Sequence, residues 1–298
     1  MWEVNMHKPD VLFVPAHTIP FFHLIPTVTM THDVGFRRAP ELYAHKELAY
    51  HRFSMWLAVK TAKMILVPTE FTKSEILDLY RIPEKKLIGI HHGFAPGRFH
   101  VIADQKEVQS ALDRYGIHQP YFLYVGRLQE KKNIPNLIRA FAHVRSKHPE
   151  ASLVLAGKPD YHFDQMRALI KTLHLEKAIV LPGYVPDGDI PALMNDATAF
   201  VFPSAYEGFG FPVLEAQACG TPVVTSSAAS LPEVGGDGAL YADPASPDSI
   251  AEQILLVLED ADLHGQLRQK GFENLKRFSW EKCARQTLDA LVAAAEEG

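Results

Sequence analysis

The sequence predicts an α/β protein built from two parallel-sheet domains, and three observations carry that reading. Runs of four or five residues rich in β-branched and aromatic side chains alternate with longer helical patterns, the signature of βαβ units. A length of 298 residues suits two domains with substantial cores. The alternation is interrupted from Phe94 to about Asp104, where Pro96 and Gly97 mark a linker.

In the first domain, Val11–Val14, Thr27–Thr31, Met64–Val67 and Leu87–Ile90 have strand composition. Between them, Pro40–Lys63 predicts one long helix and Thr72–Tyr80 a short one. Gly93, after the last strand, predicts a tight turn. The second domain opens with strand Tyr121–Val125, broken at Gly126, and continues through helix Ile134–Lys147, strand Ser152–Ala156, helix Phe163–Leu173 and strand Ile179–Leu181. A helix near Ile190–Ala197 follows, with Asp189 as its N-cap and first-turn charge. Strand Ala199–Phe202 then feeds a loop containing Gly208 and Gly210. The next helix opens near Pro212, whose missing N–H would be unpaired in a first turn anyway. Strand Pro222–Thr225, helix Ser246–Leu258 and a last helix from Trp280 complete the chain. Such a doubly wound sheet binds ligands at its strands' carboxyl ends.

Composition removes several function classes. A net charge of −5 and a pI near 6.3 exclude a general nucleic-acid binder. No apolar run approaches the ~20 residues of a membrane span. Cys219 and Cys283, with no signal peptide ahead of them, predict free thiols in a reducing, cytoplasmic setting. Fifteen histidines form no H-E-x-x-H, and neither cysteine has a C-x-x-C partner, so no zinc site is expected.

Glu207 and Glu215 are the most informative residues. Glu207 falls on the loop at the strand's carboxyl end and Glu215 on the first turns of the helix. The unpaired N–H groups and positive dipole end between them suit a diphosphate, and the carboxylates can accept from sugar hydroxyls. Arg127 and Lys132, after strand Tyr121–Val125, offer a planar fork and a point charge for phosphate oxygens; the plainer alternative is a solvated charged loop. Asp187-Gly-Asp189 spells a metal and diphosphate motif, but its place before Ile190-Pro191 favours a helix start. Gly235-Gly-Asp-Gly238 lacks a following helix and a Lys-Ser/Thr pair, so it predicts a turn and not a phosphate loop. Phe21-Phe22-His-Leu-Ile25, with Arg37 and Arg38, allows an acceptor groove, contact with anionic lipid, or a loop packed on helix Pro40–Lys63; the packed loop is the plainer reading.

The run Pro203–Gly220, which holds both glutamates, resembles the E-x7-E signature of retaining glycosyltransferases of family 4, enzymes of GT-B architecture. The resemblance extends through Thr31-His32-Asp33, Val67-Pro-Thr-Glu-Phe-Thr-Lys73, His92-Gly93, Val125-Gly-Arg-Leu-Gln-Glu-Lys-Lys-Asn133, Leu155-Ala-Gly-Lys158, Leu231-Pro-Glu233 and Phe278-Ser-Trp280, covering nearly the whole chain. It implies two Rossmann-like domains facing a cleft. Residues 1–103 with the last helix, 280–298, would form an acceptor-side domain, and residues 104–279 a nucleotide-sugar-binding domain. By that resemblance His32, Glu207, Arg127 and Lys132 are the catalytic residues. Donor contacts would come from Gly93, Gly126, Arg127, Lys132, Gly157, Lys158, Tyr184, Val185, Glu207, Gly208, Phe209, Gly210, Phe211, Leu214 and Glu215. The implied reaction moves a hexose from a nucleotide-diphosphate sugar to a glycan or lipid-linked acceptor without a metal. Ala16-His-Thr-Ile-Pro and Thr31-His-Asp look most like mannosyltransferases, so GDP-mannose is favoured and UDP-glucose is the alternative.

The resembled enzymes carry about two further βα units ahead of Asp10, so a truncated first domain is expected. Its exposed edge, Asp10–Val14 or Thr27–Thr31, would then self-associate or be covered by Met1–Pro9. The alternative from another class is a weakly active or non-catalytic sugar-nucleotide-binding remnant.

Overall fold

The computed structural model describes residues 6–159 and 163–296. The chain divides into two compact units. The first comprises Met1–Gly93, Glu207–Phe209 and Phe278–Gly298; the second comprises Phe94–Tyr206 and Gly210–Arg277. The second unit thus begins ten residues before the boundary placed after residue 103. Asn195 accounts for this: its Oδ1 accepts from the Ile102 N–H at 2.8 Å and its Nδ2 donates to the His100 carbonyl at 2.9 Å.

The first unit is a four-stranded parallel sheet in the order β1 (Leu12–Val14), β2 (Thr27–Met30), β3 (Met64–Val67) and β4 (Leu87–Gly89). Successive residues of β3 serve opposite faces, as a period of two requires. Ile65 and Val67 join Val34, Phe36, Met55, Leu57 and Ile76 in one core. Met64 and Leu66 join Val28, Met30, Ile90 and, from the last helix, Cys283, Ala290 and Ala294 in the other. The chain's last helix therefore packs on the first sheet. Strand β1 lies at the sheet's edge, but β2 lies between β1 and β3, so Thr27–Met30 is not an edge. The proposed covering segment includes Met1–Asn5, which fall outside the described residues.

The expected long helix at Pro40–Lys63 is broken. A short helix α1 (Gly35–Arg38) and a 3-10 turn at Pro40–Leu42 precede α2 (His45–Thr61). Tyr43 is extended, with φ −122° and ψ 141°, and Ala44 takes φ −64° and ψ 145°, which seats the Tyr43 side chain against the core. Helix α3 (Glu70–Tyr80) starts two residues earlier than expected, because the Thr69 hydroxyl caps it by accepting from the Thr72 N–H at 3.1 Å.

The second unit begins with α4 (Gln105–Tyr115), capped by Asp104 and closed by Gly116 at φ 64°, a helix absent from the sequence reading. Then follow β5 (Tyr121–Val125), α5 (Ile134–Lys147), β6 (Ser152–Ala156), α6 (Phe163–Thr172), β7 (Ile179–Gly183), α7 (Ile190–Asn195), β8 (Ala199–Phe202), α8 (Phe211–Ala218), β9 (Val223–Ser226), α9 (Leu231–Gly235), β10 (Ala239–Ala242), α10 (Pro247–Glu259), α11 (Ala261–Leu275) and finally α12 (Trp280–Glu296), the last helix of the first unit. The six parallel strands lie in the order β10-β9-β8-β5-β6-β7. The order reverses between β5 and β8, making a topological switch point at their carboxyl ends. Gly236–Gly238 is a 3-10 turn. Helix α11 was also not foreseen. It contains Gly265 and Gly271, and Gly271 packs against the Gln217 side chain and Gly238, so tertiary contact rather than propensity sustains it.

Gly93 makes no left-handed turn. Glycine is required there for space: a β-carbon would lie 2.2 Å from the Trp280 backbone nitrogen, where α12 begins. Gly93→Ala is expected to destabilise the protein by about 1–3 kcal/mol through overpacking. Gly97→Ala, where a β-carbon meets nothing within 4 Å, should leave the melting temperature unchanged. Equal thermal midpoints for the two variants would contradict this account of α12 docking.

Candidate functional site

Three glycines shape the carboxyl edge of the second sheet. Gly126 follows β5 at φ 150°, Gly157 follows β6, and Gly183 ends β7 at φ 75°. A β-carbon on Gly157 would lie 1.7 Å from the Gly126 carbonyl oxygen, so only glycine admits this approach. The Gly126 N–H donates to Ala156 O at 3.0 Å and the Gly157 N–H to Gly183 O at 2.8 Å. The Tyr124 hydroxyl donates to the Arg127 carbonyl at 2.9 Å, fixing the turn that carries Arg127. Arg127 and Lys158 are exposed on this edge. The Lys158 ammonium sits 4.9 Å from the Tyr184 ring centre. Tyr184 is exposed and Val185 buried.

The loops after β5 and β8 are tied together across the switch point. The Lys131 carbonyl accepts from Ser204 Oγ at 3.2 Å and the Ala205 N–H at 3.3 Å. Asn133, at φ 62°, donates through Nδ2 to the carbonyls of Pro203 and Pro244. Lys132 is held with its Nζ 5.4 Å from the centre of the Phe202 ring. Arg127 and Lys132 are thus brought to one end of the sheet. Helix α8 starts from Gly210 at φ 114° with Pro212, which has no N–H, in its first turn, and the Val213 N–H donates to the Gly210 carbonyl at 3.0 Å. Leu214 is fully buried, so its side chain faces the core.

Glu215 is half-buried on α8. Burial pushes its carboxyl up to about 7; nearby Arg98 acts against this and Asp187 reinforces it. Arg98 and Asp187 form an ion pair at 3.0 Å. Sequence reasoning missed Arg98, which it placed in a linker. Asp189 occupies the N-cap position of α7, but its side chain does not cap the helix. Its carboxylate instead accepts from Arg114 and from the Tyr115 hydroxyl, each at 2.6 Å. Both acids of the Asp-Gly-Asp motif are engaged by arginines. Among the described residues, no group of three or more His, Cys, Asp or Glu gathers to hold a metal.

In the first unit, His32 and Asp33 meet the segment Glu207–Phe209. A β-carbon on Gly208 would lie 1.9 Å from His32 O and 2.7 Å from Asp33 Cβ. The hydroxyls of Thr69 and Thr72 lie 3.0 and 3.3 Å from the Gly208 carbonyl. Exposed His32 has its Nε2 3.3 Å from Pro15 O, and Asp33 accepts from the Gly35 N–H at 2.9 Å. Phe209 is buried in an aromatic cluster with His92 and Phe278, with ring centres 5.1 and 5.8 Å away. Burial, with His32 and His91 adding to it, lowers His92 to about 4. Tyr43 was not foreseen: burial raises its pKa first, and Asp33, Glu47 and Glu207 raise it further. The phenol therefore stands near the carboxylates around Glu207.

The fold defines the class. The crystal structure of Anabaena Alr3699/HepE in complex with UDP and glucose matches with a TM-score of 0.83 at 20% identity, covering 97% of this chain and 79% of that one. The two parallel-sheet units are those of GT-B glycosyltransferases. The family model for glycosyl transferases group 1 matches residues 113–274. O-antigen chain mannosyltransferase B of Escherichia coli is 34% identical over 294 residues, 97% of this chain and 76% of that protein. Mannosylfructose-phosphate synthase of Agrobacterium fabrum is 29% identical over 257 residues, 83% of this chain and 56% of that protein. The chain belongs to the glycosyl transferases of group 1. Among its described residues, no helix is long and apolar enough to cross a membrane.

Glu215 gives a pH signature. Its folded pKa of about 7 exceeds the ordinary 4.5, so the folded state binds this proton more tightly than the unfolded state does. Its contribution to stability is present below pH 4.5 and lost as pH rises through 7. Urea midpoints of wild type relative to Glu215→Gln should fall across that window. A difference independent of pH would contradict the burial of Glu215 as a carboxylate.

Proposed function

We propose that this glycosyltransferase is a retaining enzyme of family 4 that moves a hexose, with mannose favoured over glucose, from a nucleotide-diphosphate sugar to a glycan or lipid-linked acceptor. The observation that carries this is the pairing of Arg127 and Lys132 at the β5/β8 switch point, beside the glycine-led start of α8. Two cations and a helix N-terminus suit a diphosphate. The name of the E. coli relative supports mannose. The UDP and glucose complex of HepE supports a nucleotide-linked hexose and makes UDP-glucose the alternative donor.

In this reading Glu215 accepts from the ribose hydroxyls, and Gly157, Lys158, Tyr184 and Val185 flank the base. Gly126 leaves room beside the diphosphate, which Arg127 and Lys132 hold. Glu207 and the N–H groups of Gly208, Phe209, Gly210 and Phe211 serve the hexose, as does His32. Gly93 and Leu214 act indirectly, through packing. The acceptor hydroxyl attacks on the leaving-group face, and the departing phosphate oxygen takes its proton. Stabilisation of that leaving group is electrostatic, so fixed cations and a helix end do the work without a dedicated base or a divalent metal.

A thermal-shift panel of GDP-, UDP-, ADP- and dTDP-sugars tests the donor, because a ligand of the folded state raises its apparent stability. GDP-mannose should give the largest shift, and EDTA should not abolish it. A UDP-sugar giving the largest shift would overturn the mannose assignment, and loss in EDTA would overturn metal independence.

The two glutamates should fail differently. Glu215→Ala is expected to weaken nucleoside diphosphate and intact donor alike by about 1–3 kcal/mol, the worth of charge-assisted hydrogen bonds. Glu207→Ala should bind free nucleotide nearly normally and lose donor affinity and turnover. Calorimetric titration of both variants decides; equal loss of nucleotide affinity would refute the assignment.

A further inference from the structure

Helix α2 covers the first sheet with one face and leaves large aromatic side chains in solvent on the other. Tyr50, Phe53 and Trp56 are 49%, 50% and 50% exposed, and from the preceding loop Phe21, Phe22 and Leu24 are 71%, 59% and 70% exposed. These side chains form an ordered surface. Phe21 stacks on Phe53 with ring centres 6.3 Å apart, Phe53 stacks on Trp56 at 5.9 Å, and Thr18 Oγ1 lies 2.7 Å from the Tyr50 hydroxyl. Farther along the loop, His23 Nε2 lies 3.2 Å from Thr61 Oγ1. The loop thus follows the helix for about three turns. The packed-loop expectation therefore holds in part: the loop does lie on the helix, yet its apolar side chains are not buried by it.

Charge accompanies the aromatics. At 100° per residue, Lys46, Tyr50, Phe53, Trp56 and Lys60 fall within about 60° of Phe53 on the helix, so a lysine stands at each end of the aromatic stripe. The helix's one acid, Glu47, lies about 120° away. From His45 to Lys63 there are four Lys or Arg and one Glu, in a chain whose net charge is −5. A contiguous exposed apolar surface of this kind marks an interaction site. Aromatic rings flanked by lysines match a lipid interface, where rings sit at headgroup level and long cationic side chains reach out to phosphates. A second copy of the chain fits less well, because a two-fold interface would set the basic stripe against itself.

We propose that this face docks on an anionic membrane surface, with Phe21, Phe53 and Trp56 entering the headgroup region and Lys46 and Lys60 pairing with lipid phosphates. The proposal stands independently of the donor assignment and adds a location where an acceptor in a membrane would be met.

Sedimentation of the full chain with vesicles tests it. Binding is expected to vesicles holding about one-third phosphatidylglycerol, with little to pure phosphatidylcholine, and it should weaken as salt is raised. Phe53→Ser with Trp56→Ser, and separately Lys46→Glu with Lys60→Glu, should each lower the partition coefficient about tenfold or more. Lys106→Glu, an exposed reversal on α4 of the second unit, should leave it unchanged. The altered side chains are surface-exposed, and melting curves confirm folding. Absence of binding, equal binding to neutral vesicles, or wild-type binding by both double variants would overturn the proposal. So would light scattering that shows a dimer dissolved by Phe53→Ser with Trp56→Ser.

Discussion

A β-carbon at residue 208 would stand 1.9 Å from the His32 carbonyl oxygen, so the segment carrying Glu207 reaches its place only because that carbon is missing. The contact brings Glu207, His32 and Asp33 together although they are far apart in the chain. The hydroxyls of Thr69, which caps α3, and of Thr72 within it then hold the Gly208 carbonyl, and Phe209 packs against His92 and Phe278. The same Thr69 hydroxyl caps α3, which couples the start of that helix to the position of the loop. Desolvation beside this cluster raises the pKa of partly buried Tyr43 and lowers that of His92. A side chain at 208 would therefore disturb geometry and electrostatics at once.

The second sheet meets a different constraint, the close approach of its strand ends. Its glycines let strand ends approach closely enough for backbone hydrogen bonds to run from Gly126 to Ala156 and from Gly157 to Gly183. Rigidity there fixes Arg127, whose own carbonyl is held by Tyr124. Lys132 is fixed by the loop–loop bonds around Lys131 and Asn133. On the proposed function, such fixed charges would stabilise a developing phosphate charge without reorganising, and the switch point of the sheet is where such a loop pair naturally opens.

Much of this was legible in the sequence. Strands such as Tyr121–Val125, Ser152–Ala156 and Ala199–Phe202 and helix Ile134–Lys147 fall as read, because buried parallel strands and an amphipathic helix leave strong local patterns. The break at Tyr43 and Ala44 was not legible, since it follows from seating one tyrosine in a core assembled from distant residues. Helix α11 escaped because its glycines weaken the local signal while Gln217 and Gly238 supply the support. Helix α4 did carry its signals, Asp104 as cap and Gly116 as stop, and was overlooked. Near Glu215, the place of Arg98 was not legible in the sequence. It follows from a pairing with Asp187, 89 positions away, that no local pattern records.

Pairing also shapes the surroundings of Asp187 and Asp189. Alone, two acids one residue apart look like metal ligands or a helix cap. Arg98 engages one and Arg114 the other, so each acid's charge is answered from within the second unit. The consequence is electrostatic. On the proposed function, acids near Glu215 would otherwise oppose a diphosphate, and Arg98 and Arg114 offset their charge. Glu215 itself, raised by burial to about 7, carries only part of its negative charge near neutral pH. On the proposed function, a chain with net charge −5 would present an anion-binding edge there, because arrangement rather than composition sets the local field.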